Sequence, residues 1–434
     1  MNTVDTVWLL VCCALVLLMT PGLALFYGGM VRSKSVLNMM MMSFSAMGLI
    51  TVIWLFFGYS LAFGSDSGAG FIGDLSQLGL VDALTTYVGA EDHQVPTLVF
   101  AFFQLTFAIV TAALLSGAVA DRIKFSAWLV LIAAWVTFIY IPLAHMAFAA
   151  EGGNGGLFID RWGVLDFVGG TAVEINSGAS ALALAIVIGK RVGFKKDPMR
   201  PHNLPLVLLG AGLLWFGWFG FNAGSALAVN EVAVVAMMNT QIAAAGAALS
   251  WIFLEWRRDG KPTTLGVASG AIAGLVAITP SCGFVTPLGA LLIGLTAGVV
   301  CAWAISLKYR FNYDDSLDVV GVHGVGGVVG MLGIGLLASN VANPAISNGL
   351  LNGGGFGLLL TQSKAIVFTA LFAFVGTWII ATIVDKTIGL RVERDAEIAG
   401  TDTSEHAESA YDFSGVVGTG LSGHSVHGVL NRRD

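Results

Sequence analysis

Eleven stretches of mainly apolar residues follow one another along this chain, each near the roughly 20 residues that a helix needs to cross a hydrocarbon core. They lie at 7–30, 38–63, 97–119, 125–148, 167–189, 204–227, 232–254, 264–280, 284–305, 316–338 and 364–388. In lipid every backbone N–H and C=O must find its partner inside the segment, so runs of this length specify helices. The fold class that follows is an all-α integral membrane bundle. A mean hydropathy of +0.82 with only 11% charged residues excludes a soluble globule, whose surface needs more charge. The 56 glycines suit close helix packing in lipid. No basic stripe or nucleic-acid motif is present, so no nucleic-acid partner is expected. Cys12, Cys13, Cys282 and Cys301 lack metal-ligand spacing and read as small packing residues.

The loops fix an orientation. Residues 1–7 carry Asp5 and no Lys or Arg, so the first stretch reads as a retained helix with its N-terminus outside rather than a cleaved signal. With that start, all but Arg161 and Lys364 of the 21 Lys and Arg residues fall on the cytoplasmic side, as the positive-inside rule demands. The segment 64–94 agrees, with Asp66, Asp74, Asp82, Glu91 and Asp92 and no Lys or Arg. The chain divides into a membrane domain at 1–388 and a cytoplasmic tail at 389–434. That tail is either a docking strip or solvated chain.

The fifth stretch opens with Asp166-Phe-Val-Gly169 and the tenth with Asp318-Val-Val-Gly321. By the loop count they run in opposite directions. An inverted repeat of helices 1–5 and 6–10, followed by an eleventh, fits this layout, and transport proteins place their sites at such interfaces.

Two ionisable residues sit at lipid depth. Glu174 lies about 12 Å along the fifth helix from Asp166, and His323 about 7–8 Å from the opposite end of the tenth. Ionisable groups at that depth face a partner or a pathway. The two are expected to meet in the middle of a pore; the alternative is a structural Glu–His bond between packed helices. A carboxylate there favours a cation, an imidazole can donate to or accept from a small N–H ligand, and the pair can pass a proton. Two ligands without a third make a poor metal site, and no cofactor is implied. Asp166 and Asp318 are expected to cap free N–H groups at helix starts. His145 reads as a helix-end hydrogen-bonding residue. Phe102, Phe103 and Phe107, then Phe148, and then Phe216, Trp218, Phe219 and Phe221 supply aromatic faces. Such faces pack or attract ammonium-type cations, and Ser225 adds a hydroxyl.

At these residues the chain resembles the Amt/Mep/Rh ammonium transporter family, in its Amt branch. The resemblance rests on the segments from Pro21, Gly117, Asp166, Gly217, Ser269, Asp318 and Glu405, in the family's order. It implies eleven helices in two inverted halves, a homotrimer with one pore per subunit, and ammonium or ammonia as substrate. It also implies a multi-pass protein of the plasma or inner membrane and a tail that meets a PII-class signal protein. By matching position it assigns Phe103, Phe107, Phe148 and Ser225 to the outer substrate site, Phe107 and Phe221 to the gate, and Glu174 and His323 to the pore. The sequence departs from the pattern twice. Phe148 stands where bacterial members commonly carry Trp, and Glu174 stands where the first of two pore histidines is usual. A charged Glu174 favours ammonium deep in the pore; a protonated one acts as a donor and makes transport sensitive to pH. Electrogenic ammonium uptake is the leading reading. An ammonium sensor is the alternative, and only 46 residues beyond Ile388 argue against a fused output domain. An enzyme is not expected, since no nucleophile, metal cluster or cofactor motif accompanies Glu174 and His323.

Overall fold

The structure is a computed structural model that describes residues 1–411. Among these, ten helices are long and apolar enough to cross a membrane. They are α1 (Thr3–Met30), α2 (Val36–Phe63), α3 (Thr97–Val119), α4 (Phe125–Phe148), α5 (Gly170–Ile188), α6 (Leu204–Gly224), α7 (Glu231–Asp259), α9 (Pro287–Phe311), α10 (Val320–Leu337) and α11 (Gly357–Thr387). The eighth stretch forms a shorter apolar helix, α8 (Thr264–Ile278). Side-chain caps set several starts: Asn2, Asn203, Asn230, Thr263 and Thr286 each accept an N–H from the first turn that follows. Gly260, at φ +79°, closes α7. The acidic segment between α2 and α3 contains a small antiparallel ribbon, Tyr87–Val88 against Val95–Pro96.

Glycines bring antiparallel helices into backbone contact along two seams. In the first, a Cβ on Gly29 would meet Val207 at 2.8 Å, and one on Gly224 would meet Cys12 at 2.8 Å, so α1 and α6 run in opposite directions. In the second, a Cβ on Gly178 would fall 2.2 Å from the Gly324 Cα, and one on Gly327 would fall 2.8 Å from the Glu174 Cβ. Here α5 and α10 cross with opposite sense. Gly178→Ala has no flexible neighbour to displace, only backbone. It is expected to lower the unfolding midpoint in detergent, at a cost of about 1–3 kcal/mol; an unchanged midpoint would contradict this crossing.

The second seam corrects the register of the repeat. The matching strings at Asp166 and Asp318 suggest that those residues are equivalent, but the helix starts are capped by Asp166 and Asp315. The Asp315 Oδ2 accepts the Val320 N–H at 2.8 Å. Asp318 instead sits at φ +66° and pairs with the Lys308 Nζ at 2.6 Å. Glu174 follows Asp166 by as many residues as His323 follows Asp315, and Gly178 and Gly327 then correspond as well. The two glycine contacts are thus mates across a local twofold. Burial, with Asp318 nearby, pushes the Asp315 carboxyl up to about 6.

One end of the bundle is tied by buried ions. Arg122 is wholly buried and donates to the carbonyls of Gly189, Ala120, Ala118 and Asp314 and to the Ser316 Oγ. Arg191 makes a forked bond to Asp314, at 2.8 and 3.0 Å. Burial opposes the Asp314 charge, but Arg191 and Arg122 outweigh it and hold its carboxyl below the ordinary range. The segment after α11 lies across this same end and includes α12 (Arg394–Ala399) and α13 (Thr401–His406). Glu397 accepts from the Val192 N–H at 2.6 Å and pairs with Arg391 at 2.6 Å. Asp402 accepts from the Asn38 N–H at 2.9 Å, and Glu405 from the Phe125 N–H at 2.8 Å. The described part of the tail is therefore a docked strip rather than solvated chain; the remainder, 412–434, lies outside the described residues.

Candidate functional site

Among the described residues, three cavities bear on the path through the bundle. The first, about 360 Å³, is a chamber lined by Phe107, Phe148, Phe167, Tyr59, Gln104 and Ser225, with Glu151 and Asp166 also on its wall. Its floor is a pair of stacked rings: Phe107 and Phe221 lie 4.2 Å apart at 20°, each almost wholly buried. Phe221 also bounds the second cavity, where Glu174 and His323 meet amid Met19, Leu23, Val110 and Trp218. That space is only about 20 Å³, room for one water-sized molecule. The third cavity, about 460 Å³, opens at the tail end beside Arg32, Arg191, Lys308 and Asp318.

Phe107, Phe148 and Ser225 thus share one chamber wall, and the Ser225 hydroxyl donates to the Phe221 carbonyl at 3.0 Å. Phe103 is not part of that wall. It is fully buried behind Phe107, edge to face at 4.9 Å. Phe102 and Phe216 are exposed on the outside of the bundle.

The central pair comes from the two helix starts related by the local twofold. At each, the helix opens with a wide turn: the Asn176 N–H reaches back to the Thr171 carbonyl, and the Val325 N–H to the Val320 carbonyl. Such i→i+5 turns recur at functional sites because the extra residue re-aims side chains. The result brings the His323 Nδ1 to 2.7 Å from the Glu174 Oε2, both residues nearly inaccessible. The Glu174 Oε1 has no partner among the described residues. If Glu174 is a carboxylate, Nδ1 donates and Nε2 remains an acceptor; if it is protonated, Nε2–H remains a donor. Either way the Glu174 Oε1 and the His323 Nε2 stay open to a small N–H molecule.

Asp166 holds the start of α5 in place. It accepts from the N–H groups of Gly169, Gly170 and Thr171 at 2.7–2.8 Å and from the Thr171 hydroxyl at 2.6 Å. With both oxygens engaged, it shapes the chamber wall and the Glu174 turn rather than offering a free acceptor. Asp166→Ala is expected to cost about 3 kcal/mol, read as a lower unfolding midpoint, with Asp166→Asn recovering part; equal midpoints for all three proteins would contradict this role. His145 is buried in α4, with Nδ1 3.0 Å from the Ala62 carbonyl and Nε2 3.4 Å from the Asp66 carboxylate. It holds a helix end and the loop above it.

The sequence reading missed Gln104 and Glu151. Gln104 was visible as a lone amide in the apolar α3, one turn before Phe107; Glu151 sits in a connecting loop, where no periodicity marks it.

A helical bundle with an aromatic chamber, a stacked ring pair beneath it and a small apolar cavity holding a buried Glu–His pair is the layout of a membrane transport protein. The model of the Ammonium Transporter Family matches residues 7–411, and the chain belongs to that family. It is 53% identical to an ammonium transporter of Mycobacterium tuberculosis, over 96% of this chain and 92% of that protein. It is 46% identical to one of Bacillus subtilis, over 94% of this chain and 99% of that protein. The crystal structure of Saccharomyces cerevisiae Mep2 superposes with a TM-score of 0.84 at 34% identity, covering 91% of each chain. A structure described as a sensor Amt protein superposes at 0.83 with 28% identity, covering 93% of this chain and 98% of that one. The chain is a multi-pass protein of the cell membrane and not an enzyme.

Proposed function

We propose that the chain transports ammonium or ammonia across the cell membrane by an electrogenic route. The N-terminus and the aromatic chamber face outward, and the tail faces the cytoplasm. Ammonium is captured against Phe107, Phe148 and Ser225, with Phe103 supporting Phe107. It loses a proton near the Phe107–Phe221 gate. Ammonia then crosses the narrow passage beside Glu174 and His323, and the proton follows separately by way of that pair. The observation that carries this reading is the unpartnered Glu174 Oε1 beside the Glu174–His323 bond, at a pair that lines a space the size of one small molecule. A proton acceptor in an otherwise apolar passage suits a substrate that moves as a neutral molecule and a separate proton. A homotrimer with one pore per subunit, and a PII-class protein on the docked tail, complete the proposal.

The test is an ammonium pulse applied to the purified protein in proteoliposomes on a supported membrane. A saturable inward current is expected; nitrogen uptake without charge would remove the electrogenic step. The likeness to a sensor Amt protein gives the second reading, a sensor with little net transport. Ammonium binding with neither current nor uptake would favour it.

A further inference from the structure

We infer that Glu151 is a substrate-capturing residue at the mouth of the aromatic chamber, with the Gln104 carbonyl as the acceptor beneath it; this rests on the transport reading above. An ammonium ion that enters an aromatic space gives up water from four N–H groups. Ring faces replace part of that loss, and each remaining N–H needs an acceptor.

The chamber wall holds five polar side chains: Tyr59, Gln104, Glu151, Asp166 and Ser225. Asp166 is filled by the start of α5. Gln104 is 7% exposed, and its Oε1 has no hydrogen-bond partner among the described residues. An orphaned buried carbonyl on a cavity wall is unfavourable unless a donor visits it.

Glu151 is the carboxylate on that wall left open to solvent. Its backbone is fixed, since its N–H donates to the Asp160 Oδ2 at 2.7 Å. Its side chain is nearly free: only the Asp66 N–H reaches its Oε2, at 3.4 Å. The two basic residues read as lying on the outer side are engaged elsewhere. Arg161 pairs with Asp66 at 2.5 Å, and the Lys364 ammonium lies 3.4 Å above the Trp162 ring. Glu151 therefore keeps its field for an arriving cation. It lines the same chamber as Phe148, so its charge adds to the attraction that the ring face offers a cation.

The test titrates ammonium against transport current for the native protein, Glu151→Gln, Glu151→Asp and Glu91→Gln, at ionic strengths of about 0.01 M and about 0.15 M. Glu91 is exposed and is not on the chamber wall. Glu151→Gln is expected to raise the half-saturating ammonium concentration about fivefold at low ionic strength, and less at high. Glu151→Asp falls between, and Glu91→Gln matches the native protein. Thermal stabilisation by ammonium, measured in detergent, is read in parallel and should shift alike. A Glu151→Gln curve that overlies the native one at low ionic strength overturns the inference. Stabilisation without current in the native protein removes the transport reading and leaves Glu151 to be judged on the binding curves. A native protein with neither response overturns both.

Discussion

Glu174→Gln is expected to cut the ammonium current about a hundredfold, the range in which a positioned acid or base contributes to proton transfer. The substitution keeps the shape and an acceptor oxygen for His323 but removes the charge and the capacity to take a proton. The native contact is 2.7 Å long, between two residues with almost no access to solvent. Bulk water does not reach the pair to take over the task. Glu174→His is expected to keep transport, because an imidazole can still exchange a proton with His323. It should also lower potassium leak relative to the native protein, since a buried carboxylate attracts any small cation. Currents and potassium leaks compared across the three proteins decide the matter. If all three behave alike, Glu174 has no role in permeation and serves only to join α5 to α10.

Arg122→Ala is expected to destabilise the protein by about 3–5 kcal/mol, the usual cost of breaking a buried charged network. The guanidinium bonds to the ends of α3 and α5 and to the segment between α9 and α10. Val392 of the tail then donates to the Arg122 carbonyl at 3.0 Å. Removing the side chain strands carbonyls from three elements at once. Arg122→Lys should not rescue, because a single ammonium cannot span the planar fork of five bonds. The midpoint of thermal unfolding in detergent measures this, and a midpoint equal to that of the native protein for Arg122→Ala would contradict it. The tail should loosen too, with faster proteolysis beyond Leu390 in the variant.

Hydrophobic length made most of this fold legible. The apolar runs located the helices because lipid leaves the backbone no alternative. The ends were less legible. α7 continues to Asp259 rather than 254, because Glu255, Arg257, Arg258 and Asp259 extend the helix past its apolar run, and the last span begins at Gly357 rather than 364, because Thr361, Gln362, Ser363 and Lys364 interrupt its apolar signal after the first turn. The short Asp-x-Val-Gly match misled the repeat register by three residues, close to one helical turn. Its chemistry is carried by Asp315, which no matching string marks. The wide turns at Glu174 and His323 had no signature; they lie where Gly178 and Gly327 let the two helices approach closely. Resemblance to the family named Phe103, but burial places that ring behind the chamber. The meeting of Glu174 with His323 was foreseeable from depth alone: two costly groups in an apolar bundle have every reason to share one space.

The most direct test of the central idea counts charge and nitrogen together. Proteoliposomes holding the native protein are given an ammonium gradient, and integrated current and isotopic nitrogen uptake are recorded on one preparation. One elementary charge per nitrogen is expected if ammonia and its proton cross by way of Glu174 and His323. Nitrogen uptake with no accompanying charge would contradict the account.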